Sequence, residues 1–278
     1  MPGMALRIGE IMKSILAFKE EEKGWGETGS LRTDGMVENN CACDLKRFGV
    51  GEYYLRHDVA TFKSNLSEAA ELYIGLFERG SNSLITPDVV SEVSEEKLFA
   101  VQDTNSSGNS KDGNYVAAFL LSMITFKQLL NALASGDMVV AQRLAHVIGG
   151  HLDSEREVDE PLDHYFGWTL KYMVDDCSDS LRREWIGHLA SYLQSARPTL
   201  MGYPIVMQAI VDRNLEAANA GFVELLKGHR YECREGKMFG DTVDEIICVW
   251  GLGLANLARW RGLTVDPHDE LIPSDLLF

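Results

Sequence analysis

Apolar positions recur at three- and four-residue steps wherever the chain shows any period, and this spacing predicts helices. From Val59 to Glu78 the series is Phe62, Leu66, Ala69, Leu72, Ile74 and Phe77, and Gly80 supplies a stop. Tyr115 to Leu133 carries Val116, Phe119, Leu120, Met123, Leu129 and Leu130, a broad apolar face expected to lie inside. Gly136-Asp137 then predicts a tight turn, with glycine closing one helix and aspartate capping the next, which runs to Ile148. Pro161 suits the first position of a helix reaching Val174. Leu181–Leu193, with Trp185, Leu189 and Leu193 on one face, Tyr203–Val211, Leu215–Lys227 and Asp244–Trp260 complete the set.

No stretch alternates strictly with a period of two, so few or no strands are expected. The pattern predicts an all-α fold, a multi-helix bundle of antiparallel helical hairpins. Two stretches lack this order. Residues 24–51 are Gly-rich and polar with weak periodicity, and 103–114 read as an exposed loop. They suggest a helical N-terminal portion (1–112) and a helical body (113–278), which one continuous domain could also contain.

Composition narrows the function. The hydrophobic content is 45% and suits a chain that buries a real core. A formal charge of −16 argues against direct nucleic-acid binding and suits a basic partner. No apolar run approaches the ~20 residues of a spanning helix, so no membrane partner is expected. The first residues lack a signal-peptide pattern and the five cysteines form no framework, which points to the cytoplasm.

The chemical motifs fail on context. Gly24-Trp-Gly26-Glu-Thr-Gly29 has dinucleotide-binding spacing but follows Lys19-Glu-Glu-Glu-Lys23, which is no buried strand. Asp103, Asn105 and Ser107-Gly108 resemble the start of a calcium loop. Asn114 stands where the closing glutamate belongs, and Lys111 fills a ligand position. Cys41-Ala-Cys43 has no second ligand pair for zinc. His146 and His151 are spaced poorly for one helical face, and His164 and His188 adjoin aromatic residues, as structural histidines do. Neither catalytic residues nor a cofactor nor a metal is expected, and the chain does not read as an enzyme.

One polar feature stands out. Asp153, Glu155, Glu157, Asp159, Glu160, Asp163, Asp175, Asp176 and Asp179 face only Arg156 and Lys171 between His151 and Ser180. Such density suggests a partner-binding face for a basic protein. Solvated loops with acids at helix ends would give the same count.

Several C-terminal features occur together in order: Gly113-Asn114-Tyr115-Val-Ala-Ala-Phe119, Asn219 with His229 ten residues later, and a nearly all-apolar helix to Trp260. Arg261-Gly262 and a tail of Leu271-Ile-Pro273 with Leu276-Leu277 follow. In this order and spacing the chain resembles the immunity-49 family of helical bacterial proteins, encoded beside polymorphic or contact-dependent toxins. The family's usual Ser and Tyr near the final proline are replaced by Asp269 and Leu271.

The resemblance implies an antitoxin that binds and neutralises a cognate protein toxin, such as a basic nuclease acting in the cytoplasm. It implies structural roles for Asn219, His229, Gly262 and Pro273, with Asn219 and His229 as local hydrogen-bonding or capping groups. The acidic 153–179 region is then the expected toxin-facing surface. Two other readings remain open: a helical-repeat-like scaffold that binds peptides or proteins, and a helical enzyme with an unrecognised site. Broad apolar helix faces leave homodimerisation open as well.

Overall fold

The computed structural model describes residues 36–80, 123–150 and 159–278. Nine α-helices lie among them, and the only strand-like pairing there is a single bridge between Asp269 and Ile272. The protein is an all-α bundle. Asp153, Glu155, Glu157, the 103–114 stretch, the glycine motif at 24–29 and the start of the Tyr115–Leu133 helix lie outside the described residues.

Four hairpins make up most of the body. Helices α1 (Met36–Arg56) and α2 (Val59–Gly80) turn through His57 in the left-handed region, φ 52°. Asp58 caps α2 by accepting from the Thr61 amide at 2.9 Å. Helices α3 (Phe126–Ser135) and α4 (Met138–Val147) turn at Gly136, whose φ of 80° favours glycine, and Asp137 accepts from the Val140 amide at 3.1 Å. Helices α5 (Pro161–Val174) and α6 (Asp179–Ala196) form the third pair. A single turn, Pro198–Leu200, leads into the fourth, α7 (Gly202–Val211) and α8 (Leu215–Glu232), where Asn214 caps α8.

The last helix, α9 (Val249–Trp260), is the central post, with ten of its twelve residues buried. It lies against α3 and also touches α7 and α8. Gly253 brings it close to α3, since a Cβ there would stand 3.0 Å from the Leu130 carbonyl oxygen. Asn256 is fully buried and satisfied by backbone alone. Its Nδ2 donates to the carbonyls of Leu133 (3.0 Å) and Ala134 (3.1 Å), closing the end of α3. Its Oδ1 accepts from the Phe278 amide at 3.3 Å, which seats the tail.

Two expectations are corrected. Residues 36–51, read as poorly ordered, are most of α1. Its period is weak because Glu38 and Glu52 are buried among the apolar residues. Lys46 reaches Asp244 at 2.7 Å and Tyr53 donates to Asp275 at 2.7 Å, so this helix is fixed by the far end of the chain. The Asp244–Trp260 helix is also divided. Val243–Glu245 forms one tight turn, and α9 starts only at Val249. The Cys248 amide donates instead to the Leu271 carbonyl at 2.8 Å, which draws the chain out of helical register. One buried core joins the α1–α2 hairpin to the later helices.

Candidate partner-binding faces

The acids expected to form one face are divided by α5. Its fourteen residues span ~21 Å, with Asp159, Glu160 and Asp163 at one end and Asp175, Asp176 and Asp179 at or beyond the other. Several also serve the fold. Asp159 is buried and accepts from the Met123 amide at 3.1 Å, which starts the turn before α3. Asp163 is buried 3.4 Å from Lys127; burial pushes its carboxyl above the usual range, and the lysine opposes that. Asp175 lies 3.4 Å from Lys171, and Asp179 pairs with the buried Arg182 at 2.7 Å. The expectation of a single acidic surface is therefore revised: Asp159 and Asp163 are interior groups, while Glu160, Asp176 and Asp179 are exposed.

Between those two acidic ends runs a strip of rings. Helix α5 contributes His164, Tyr165, Trp168 and Tyr172, and α6 contributes Trp185, His188 and Tyr192. Trp168, Tyr172 and Trp185 are mutual neighbours, with centroids 5.6–5.7 Å apart. Tyr165 meets Tyr192 at 5.5 Å, and His164 meets Trp185 at 5.9 Å. The Thr169 hydroxyl lies 3.1 Å from the Trp185 carbonyl oxygen and helps to hold the two helices together. All of these rings are half-buried except that of His188, which is exposed beside Glu184.

Chemically, the strip offers flat, amphipathic contact area between separated carboxylates. That combination suits arginine and lysine side chains, through cation–π and ionic contacts together. The acid count was legible in the sequence, and so were the histidines beside aromatic residues. Missing was the alignment of two helices that sets their rings side by side.

The residues carrying the family resemblance are mostly scaffold. His229 is fully buried on α8. Its Nε2 lies 2.7 Å from the Asp244 carbonyl oxygen, and its Nδ1 has no hydrogen-bond partner. Burial lowers its pKa, so the ring is neutral and donates from Nε2. Gly262 follows α9 with φ 89°, and Pro273 leads into the final turn, Ser274–Leu276. Asn219 is exposed on α8, and the capping role belongs to Asn214.

None of the five cysteines forms a disulfide. Burial pushes the Cys233 thiol up to about 11 and the Cys248 thiol higher still, which keeps both protonated. Among the described residues no three His, Cys, Asp or Glu side chains are grouped to hold a metal ion, and no helix is long and apolar enough to cross a membrane. No family model matches the chain, and neither the curated proteins nor the solved structures contain a detectable match.

Proposed function

We propose that the protein is an immunity protein, acting in the cytoplasm by binding a cognate basic toxin and occluding it, without chemistry of its own. The observation that carries this reading is the aromatic strip of the α5–α6 hairpin with carboxylates at both ends. Tyrosine and tryptophan are the residues that most often anchor protein interfaces, and half-buried rings present area at little entropic cost. The surrounding charge supports the choice of a basic partner, because a net −16 speeds encounter with a cationic surface. The residues whose order and spacing resemble the immunity-49 family support a protein toxin as that partner.

Co-expression with the product of the gene adjacent to this protein's own tests the proposal. Protection of the host and a stoichiometric complex are expected. If neither growth rescue nor complex formation is seen, the immunity reading fails. If both survive substitution of Trp168, Tyr172 and Trp185 together, the toxin is held at another face.

A further inference from the structure

The α7–α8 hairpin carries a second surface, of opposite character. Half of the large hydrophobic side chains exposed among the described residues sit on or beside it: Ile205, Leu215, Val223 and Tyr231. Ile205, Val223 and Tyr231 line a groove of about 780 Å³ between the Pro198–Leu200 turn and α8. Two glycines close its floor. A Cβ on Gly202 would overlap the Leu225 backbone, and one on Gly228 would overlap the Thr199 carbonyl oxygen. The chain segments therefore cross nearly in backbone contact, leaving the side chains of Ile205 and Val223 outside.

The rim is basic. Lys227, Arg230 and Arg234 line the groove, and Glu224 is the only acid among the lining residues. Lys237 joins them: its ammonium lies 5.3 Å from the Tyr231 ring centroid, and the Arg234 guanidinium lies 4.7 Å from it. Arg230 is held by Asp269 at 2.8 Å and Lys227 stands 3.4 Å from Glu224, whereas Arg234 and Lys237 have no carboxylate partner among the described residues. Four of the ten exposed lysines and arginines of the described residues thus fall between positions 227 and 237, in a chain of net charge −16. Cations in the last turn of α8 would complement its dipole. That does not explain Arg234 and Lys237, which lie beyond the helix, nor a valine 64% exposed at position 223.

We infer that this groove docks an acidic peptide segment of a partner protein. A bulky aliphatic side chain of the segment sits on Ile205 and Val223, and its carboxylates reach Lys227, Arg234 and Lys237. Charge complementarity selects the occupant, since a basic segment would meet the exposed cations Lys227, Arg230, Arg234 and Lys237. A nucleic acid fits less well. Aliphatic side chains line the groove, and Tyr231, the only aromatic residue lining it, already carries two cations where a base would stack. The site is separate from the α5–α6 strip, has the opposite preference, and stands whether or not the partner there is a toxin.

Selection from a phage-displayed library of random dodecapeptides on the immobilised full chain tests this inference. The enriched peptides are expected to carry an excess of Asp and Glu around a Leu, Ile or Val. Synthetic copies should bind the R234E/K237E double variant and, separately, V223D at least about tenfold more weakly than the parent protein. These positions are exposed, and an unchanged circular dichroism spectrum confirms that the variants fold. The inference is overturned if no groove-dependent peptide is recovered, if the enriched sequences are neutral or basic, or if both variants bind the acidic peptides as well as the parent. It is also overturned if an oligouridine RNA displaces the peptides and loses affinity on the same substitutions.

Discussion

The α5–α6 and α7–α8 hairpins rest on one core, yet they present opposite surfaces, and the difference begins with what fills the space between their helices. In α5–α6 that space holds rings: Trp168 and Tyr172 from one helix interleave with Trp185 from the other. These aromatic side chains stay half-exposed at the surface of the hairpin, and the exposed acids Glu160 and Asp176 lie toward the two ends of α5. In α7–α8, Gly202 and Gly221 on the helices and Gly228 near the end of α8 let backbones approach, and the aliphatic side chains of Ile205 and Val223 are exposed. The ring-lined hairpin keeps aromatic area at its surface, and the hairpin closed on glycines leaves aliphatic area at its own. In the proposed readings charge then selects the partner, with acids bracketing the rings and bases bordering the aliphatic groove.

Removing the close approach is the strongest way to break this comparison. Gly228→Ala places a Cβ against the Thr199 carbonyl, and neither backbone can yield without parting the turn from α8. A loss of about 3 kcal/mol of unfolding free energy is expected, at the upper end for overpacking, read as a lower urea midpoint. The protein that remains folded should retain the α5–α6 surface and the affinity for a basic partner proposed for it. An unchanged midpoint would show that the α7–α8 hairpin does not depend on this glycine.

Sequence legibility follows the same division between local and distant causes. The Pro161–Val174 helix and the Gly136-Asp137 turn were readable because a proline, a glycine and a capping aspartate act within a few residues. Helix α1 was not, because its polar positions are satisfied from afar: Lys46 by Asp244 and Tyr53 by Asp275. The division of the Asp244–Trp260 stretch has a similar cause, since the Cys248 amide is taken by Leu271. Both candidate faces arise from neighbouring helices. The acids of 153–179 could be counted, but α5 decides which remain together, and Lys127 and the Met123 amide decide that Asp163 and Asp159 turn inward.

The next effect in size concerns the rings. Trp185 touches His164, Trp168, Tyr172 and His188, so Trp185→Ala should remove the centre of the strip. Affinity for the proposed basic toxin should fall by about 2 kcal/mol, roughly 30-fold, in titration calorimetry. Val223→Ala on the other hairpin should leave that affinity unchanged. Equal losses from the two substitutions would mean that the two surfaces are not distinct binding faces.

In the α7–α8 hairpin, His229 makes its stability sensitive to acid. The folded pKa is lowered from the ordinary value of about 6.5, chiefly by burial, with Lys46 and Arg230 adding to the shift and Asp244 opposing it. Below pH 6.5 the unfolded chain therefore takes up a proton that the folded chain resists, so stability falls as pH falls and is level above. One such proton gives a slope of up to about 1.4 kcal/mol per pH unit. Comparing urea midpoints of the parent and His229→Gln between pH 7.5 and 5.5 isolates this contribution. Parallel curves would remove His229 as its source.

The smallest expected effect separates charge from rings within the α5–α6 face. Glu160 and Asp176 are exposed near opposite ends of α5, so they should act on encounter more than on the docked complex. Reversing both, as Glu160→Lys and Asp176→Lys, should slow association with a basic toxin about three- to tenfold at low salt and leave dissociation nearly unchanged. The difference should shrink toward physiological salt, where the screening length is ~8 Å and exposed charges at opposite ends of a helix act independently. Stopped-flow association rates at several ionic strengths measure this directly. A faster dissociation would instead mean that these carboxylates are buried in the complex. The bracketing acids would then belong to the contact itself, and the rings would share the anchoring role proposed for them.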